Sequence, residues 1–257
     1  MRRPPRSPSK SRDLRERAGS RSGRAAARAE HPASARSPAS ILDRQPWNDL
    51  GPHLLRAGAD PAFAVPALRR FSELLIDWNH NVSNLISRND EPRLVVRHLL
   101  ESIEPAHWLE ASGARRWLDF GSGAGLPAIP LAIAGIGDTW TLVESRRRKT
   151  LFVRRATGEL GLARVRVICA RLEKLHEEDP ELPGSFDGFT SRATLPLGPT
   201  LAMAARFVAP GGVAFLWKGS RRDAELAGDS RWSDSWRQDE VTALGSGLTV
   251  VAKFVRK

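Results

Sequence analysis

Cysteine is nearly absent from this 257-residue chain: Cys169 stands alone, which excludes an intrachain disulfide and a cysteine-rich metal site and makes a reducing, cytoplasmic setting the expectation. Cys169 falls in the run RVRVICA and reads as a buried strand residue. No stretch reaches the ~18 consecutive apolar residues of a membrane-spanning helix, so no membrane partner is expected. The N-terminus lacks the apolar segment of a secretory signal, although its Arg-, Ser- and Ala-rich, acid-poor composition resembles an organelle transit peptide. His98 has no second histidine at metal-ligand spacing; it reads as a packed, hydrogen-bonded side chain, and no metal is expected.

Residues 1–40 also lack Val, Ile, Phe and Trp, and such a segment buries too little apolar surface to offset the entropy of ordering. Residues 1–45 are therefore expected to be a disordered basic extension. It reads either as a solvated tail, or the remnant of a misassigned start codon, or as a basic arm that strengthens contact with RNA without sequence choice. Most of the net charge of +11 sits there: residues 1–40 hold eleven basic against three acidic side chains, and the remaining 217 hold 29 against 26. The folded part is only mildly basic.

What is present is a change of periodicity along the chain. Residues 46–113 read as an N-terminal helical region, with Leu68, Phe71, Leu74, Leu75 and Trp78 at helical spacing behind the capping pair Asp60-Pro61. A second helical run, RLVVRHLLESI, follows the loop SRNDEP. Residues 114–257 alternate strands (WLDF, WTLVE, RVRVICA, FDGFTS, VAFLWK) with helices (PAIPLAIA, RKTLFVRRATGELGL, LGPTLAMAARFVA), the pattern of a mostly parallel sheet covered on both faces. DEVTAL and LTVVAKFVRK, parted by Gly-Ser-Gly at 245–247, predict an antiparallel hairpin at the sheet edge.

In such a sheet a ligand sits beyond the carboxyl ends of the strands, at the first strand-to-helix turn, where Gly121, Gly123 and Gly125 fall. The spacing is G-x-G-x-G, with Leu126 where a dinucleotide fingerprint has its third glycine. Glu144 ends the next strand, 19 residues after Gly125, where a carboxylate accepts two ribose hydroxyls. Glu173, after the third strand, could match an adenine edge together with neighbouring backbone N–H groups. Turn, ribose acid and adenine acid in successive loops fit S-adenosylmethionine, although Glu144 and Glu173 singly also read as solvated loop acids.

The span from about Phe71 to Gly219 resembles the bacterial small-subunit ribosomal RNA methyltransferase G family. The matching pieces are Trp78, Asn79, Asn84 and Leu85; RHLLES; DFGSGAGLPAIPLAI; TLVESRRRK; FDGFTSRA; and Lys218-Gly219. The resemblance implies an α/β fold of the class I S-adenosylmethionine-dependent methyltransferase type: a Rossmann-like, mostly parallel seven-stranded sheet with an N-terminal helical layer. It implies methylation of N7 of one guanine in 16S ribosomal RNA; the expected partner is that RNA or a small-subunit ribosomal particle, and a monomer is expected. Carried over by position, cofactor contacts fall on Gly121, Leu126, Glu144, Leu172, Glu173 and Arg192; Gly123 joins them on physical grounds. Ala128 departs from the family's glycine, and Glu101 from its aspartate.

Guanine N7 has an in-plane lone pair and no proton, so alignment suffices and no catalytic acid, base or nucleophile is assigned. Arg192 would pair with the cofactor carboxylate or with an RNA phosphate. Arg146, Arg147, Arg148 and Lys149 gather cations at the positive end of a helix, which points to a phosphate partner or a solvated face; Lys218 is a further RNA candidate. Trp217 reads as a core residue or as a platform for a flipped base. Three other readings stand beside this one: a class I methyltransferase acting on another RNA or a protein, an NAD-dependent oxidoreductase, and a basic RNA-binding module.

Overall fold

Alternating β-branched and helical segments build a seven-stranded sheet in the computed structural model, which describes residues 38–219 and 222–257. The strands are β1 Arg116–Phe120, β2 Thr139–Val143, β3 Val165–Ile168, β4 Phe186–Arg192, β5 Val208–Lys218, β6 Trp236–Ala243 and β7 Val250–Arg256. Their spatial order is β3-β2-β1-β4-β5-β7-β6. β1 to β5 pair in parallel, while β7 runs antiparallel to both β5 and β6, so the expected C-terminal hairpin joins the sheet through its second strand. The order reverses between β1 and β4, which makes their carboxyl ends the natural crevice.

Strand alternation sends successive side chains to opposite faces, and two apolar cores result. Trp117 faces one, with the N-terminal helices and helices Ala128–Ile133 and Arg147–Glu159; Leu118 faces the other, with helices Leu172–Glu178 and Leu197–Phe207. The stripe read from the sequence lies on helix Pro61–Asn81, where Leu68, Phe71, Leu74 and Leu75 are buried and Asp60 accepts the Ala62 N–H at 2.8 Å. The Trp-Asn and Asn-Leu pieces serve this layer. Asn79 Oδ1 accepts the Leu85 and Ile86 N–H groups at 2.6 and 3.2 Å, and its amide donates to buried Glu91 at 2.6 Å, pinning the loop that follows the helix.

Three expectations change. Pro38–Leu42 is helical, with Ile41 and Leu42 buried, so an extension ending at residue 45 runs too far: two apolar side chains suffice to dock this turn. Residues 1–37 of that expected extension lie outside the described residues. Cys169 is exposed, because β3 is an edge strand that ends at Ile168 before the chain turns away. RLVVRHLLESI is not one α-helix; Val95–Leu100 forms a π-helical turn, whose Arg97 and His98 carbonyls accept from Arg192 at 2.8 and 3.5 Å. A side chain drawing on the ladder is a recognised cause of such an irregularity.

Candidate functional site

The glycine turn leaves β1 folded back against β2. The Gly121 and Ser122 N–H groups donate to the Val143 carbonyl at 2.9 and 3.2 Å, and Gly121, Gly123 and Gly125 take φ of 68, 56 and 77°. A Cβ on Gly121 would collide with Thr194 Cγ2, so absence of a side chain lets the β4 loop close on the turn. Around Gly123 nothing approaches a virtual Cβ closer than 3.7 Å, which leaves its Cα face open.

Glu144 directly follows β2 and is 7% exposed. Its oxygens accept the Gly123 N–H at 3.0 Å and the Arg146 N–H at 2.7 Å, each leaving lone pairs for a further donor. The loop after β3 adds Leu172, whose side chain is buried as the first residue of helix Leu172–Glu178, and Glu173, which is exposed. Together these three loops and the Ala193–Leu195 segment enclose a cavity of about 420 Å³, lined among others by Gly121, Gly123, Glu144, Leu172 and Glu173. Leu126 does not line it; its side chain is buried in the core and its N–H donates to the Ser122 carbonyl.

Under the turn lies Asp119, a residue the sequence reading did not single out. It is buried, Oδ1 accepts from Thr190 Oγ1 at 2.7 Å, and Oδ2 has no partner. Burial pushes its carboxyl up to about 7. The signal was its place in DFGSG, one residue before the strand ends.

Arg192 ends β4 and faces a second hollow of about 460 Å³, which shares Ala193, Thr194 and Leu195 with the first. Its guanidinium pairs with Glu101 Oε2 at 2.9 Å and donates to the Arg97 carbonyl at 2.8 Å. Next to it, burial and the Arg192 charge push His98 down to about 3, so the ring is neutral, with Nδ1 3.1 Å from Arg192 Nη2. Glu101 is 1% exposed and also accepts from Arg97 at 2.8 Å and Ser246 Oγ at 2.9 Å. Glutamate thus supplies acceptors to two arginines and a hydroxyl.

Ala193 takes φ 53°, the one non-glycine residue with positive φ among the described residues. Such backbone costs on the order of 1–3 kcal/mol and survives where the surroundings over-determine it. Trp217 is 2% exposed and donates to the Glu101 carbonyl at 2.6 Å, as a core residue does, while its edge reaches the second hollow. Lys218 is held by the Leu195 carbonyl at 2.6 Å and Glu225 at 3.0 Å.

Arg146, Arg147 and Arg148 are exposed and Lys149 half-buried at the start of helix Arg147–Glu159; Arg146 and Lys149 line the first cavity. Cations there oppose the macrodipole, by about 0.3–1 kcal/mol each. Arg146 and Lys149 make a positive rim to the first cavity.

Comparison with known proteins agrees with this geometry. The family model described as rRNA small subunit methyltransferase G matches residues 64–246. Curated proteins named ribosomal RNA small subunit methyltransferase G are similar to the chain: that of Stenotrophomonas maltophilia K279a is 38% identical over 191 residues, covering 74% of this chain and 84% of its own length. That of Xanthomonas axonopodis pv. citri is 39% identical over 168 residues, covering 65% and 74%. Among solved structures, an O-methyltransferase from Bacillus cereus in complex with SAH aligns with a TM-score of 0.51 at 17% identity over 75% of this chain and 91% of that one. A SAM-dependent methyltransferase from Aquifex aeolicus aligns at 0.50 and 15%, covering 66% and 98%. At such identities the structures speak for the fold alone.

Proposed function

This chain belongs to the rRNA small subunit methyltransferase G family, and from that premise we propose that it methylates N7 of one guanine in 16S ribosomal RNA, with S-adenosylmethionine as methyl donor. The observation that carries the reading is the convergence of three successive strand ends on one cavity: the glycine turn after β1, Glu144 after β2 and the Leu172–Glu173 loop after β3. The donor set suits an adenosyl group. Glu144 retains acceptor capacity for ribose hydroxyls, Gly123 leaves room for close approach, and about 420 Å³ lies within the range of small-molecule sites. Gly121, Gly123, Glu144, Leu172 and Glu173 would hold the cofactor.

When bound, S-adenosylmethionine supplies a methyl group activated by its sulfonium sulfur. The chain's own residues then have to hold N7 in line, exclude water and balance charge, and no side chain has to remove a proton. Asp119, raised to about 7 and anchored to Thr190, supports the turn from below. Arg146 and Lys149 at the cavity rim would meet RNA phosphates. A nicotinamide enzyme is disfavoured by the G-x-G-x-G spacing.

The finer parts of the reading are a small-subunit particle or its RNA as partner, a monomeric enzyme and a cytoplasmic setting; among the described residues no helix is long and apolar enough to cross a membrane. Mass mapping of 16S RNA from a strain lacking the gene tests it. One N7-methylguanine should vanish and return when the gene is restored; an unchanged methylation map would refute the proposal.

A further inference from the structure

The second hollow contains a carboxylate that methyl transfer as described has not used. Glu225, on helix Arg222–Ala227, accepts with Oε2 from the Leu197 N–H and from Lys218 Nζ, both at 3.0 Å, and its Oε1 has no hydrogen bond among the described residues. Lys218 also donates to the Leu195 carbonyl at 2.6 Å, so the ammonium ties the carboxylate to the wall that separates the two hollows. The other acid there, Glu101, is committed to Arg97, Arg192 and Ser246. Of the two carboxylates in this hollow, the one with an open oxygen is therefore Glu225.

Among the four RNA bases, guanine alone presents two adjacent N–H donors, N1–H and the exocyclic amine, on its Watson–Crick edge. Enzymes that act on an extruded base read that edge by hydrogen bonds. An ionised carboxylate, which only accepts, matches the guanine pair and faces a lone pair on each of the other three bases. N7 lies on the far side of the purine from this pair. A guanine whose Watson–Crick edge meets Glu225 thus leaves N7 unengaged at its opposite end, in a hollow that shares the Ala193–Leu195 segment with the first cavity.

We infer that this hollow is the seat of the target base and that Glu225 selects guanine by accepting from N1–H and the exocyclic amine, with Lys218 as its positioning residue. The inference rests on the methyltransferase reading above and adds to it the origin of base choice. As the N7 lone pair forms the new bond to the methyl carbon and the carbon–sulfur pair departs with neutral S-adenosylhomocysteine, the positive charge passes to the purine and its N–H groups become stronger donors. The carboxylate then holds the transition state more tightly than the ground state, so its loss lowers kcat as well as raising KM.

The test uses the full chain, saturating S-adenosylmethionine and ribosomal RNA carrying guanosine or inosine at the methylated position; inosine keeps N7 and lacks the amine. Wild-type enzyme should lose roughly tenfold in kcat/KM on inosine, the loss expected of a charge-assisted hydrogen bond. Glu225→Gln should lose about 10- to 100-fold on guanosine and discriminate poorly between the two substrates, with unchanged cofactor affinity by calorimetry, and Glu225→Asp should recover part of the rate. Equal wild-type rates on guanosine and inosine, or a Glu225→Gln enzyme with the wild-type ratio, overturn the inference. The wild-type arm decides even where the variant folds poorly. No N7 methylation of guanosine by wild-type enzyme would instead remove the methyltransferase reading, so the two failures are distinct.

Discussion

Arg192 at the end of β4 and Glu101 in the N-terminal helical layer form an ion pair of 2.9 Å, with 13% and 2% of their side chains exposed. Around it, Ser246 of the β6–β7 turn donates to Glu101, and Gly245 donates its N–H to both oxygens of Glu104 at 3.0 Å. One buried carboxylate thereby joins the helical layer, the β4 loop and the C-terminal hairpin. Both hollows border this junction through the Ala193–Leu195 segment.

Removing one partner of such a pair leaves an uncompensated buried charge. Arg192→Ala should cost about 3–5 kcal/mol of stability, read as a lower urea midpoint at unchanged slope. Arg192→Lys should lose part of that while cofactor affinity, by calorimetry, changes by less than about threefold, because the guanidinium faces Glu101 and the π-turn carbonyls. A large affinity loss in the lysine variant would assign Arg192 to the cofactor instead.

Gly121 and Gly123 both have positive φ, so alanine at either position strains the backbone by about 1–2 kcal/mol. At Gly121 the added methyl also meets Thr194 Cγ2. Gly121→Ala should therefore lower the melting temperature more than Gly123→Ala, and Thr194→Ser in the same chain should restore part of the difference. Equal melting temperatures would deny the close approach.

Replacing Arg146, Arg147, Arg148 and Lys149 by serine should weaken RNA binding and flatten its salt dependence, by roughly 0.7 to 0.9 in the log–log slope for each phosphate that the variant no longer neutralises. The slope from filter binding or fluorescence at several salt concentrations checks this. An unchanged slope takes the cluster out of the RNA interface.

His98 and Asp119 give opposite pH limbs. With His98 down at about 3 from 6.5, the unfolded chain binds more protons in between, so this group's contribution is present above 6.5 and lost as pH falls toward 3. With Asp119 up at about 7 from 3.8, the folded chain binds more, and its contribution is present below 3.8 and lost as pH rises through 7. As pH rises from about 4 to 6.5, the stability of His98→Gln should fall relative to wild type, and that of Asp119→Asn should rise. Parallel curves for all three proteins would contradict both assignments.

The sheet and the glycine turn were legible because they rest on local patterns: alternating apolar residues, and glycines where positive φ is required. Glu144 was legible for the same reason, as an acid at a strand end. What escaped were relationships across the chain. Arg192 meets a carboxylate 91 positions away, a distance that no spacing rule spans, and its other hydrogen bonds fall on carbonyls of the π-turn that interrupts a readable helix. Buried Asp119 takes its hydrogen bond from Thr190 on β4, 71 positions further along the chain. Cys169 was misread because apolar flanks do not reveal that β3 lies at the sheet's edge.

β7, last of the seven strands in sequence, lies between β5 and β6. During folding β5 therefore keeps one bare edge, and β6 lacks the partner that holds it, until residues 250–256 dock between them. That interval leaves an open strand edge exposed to self-association or chaperone capture.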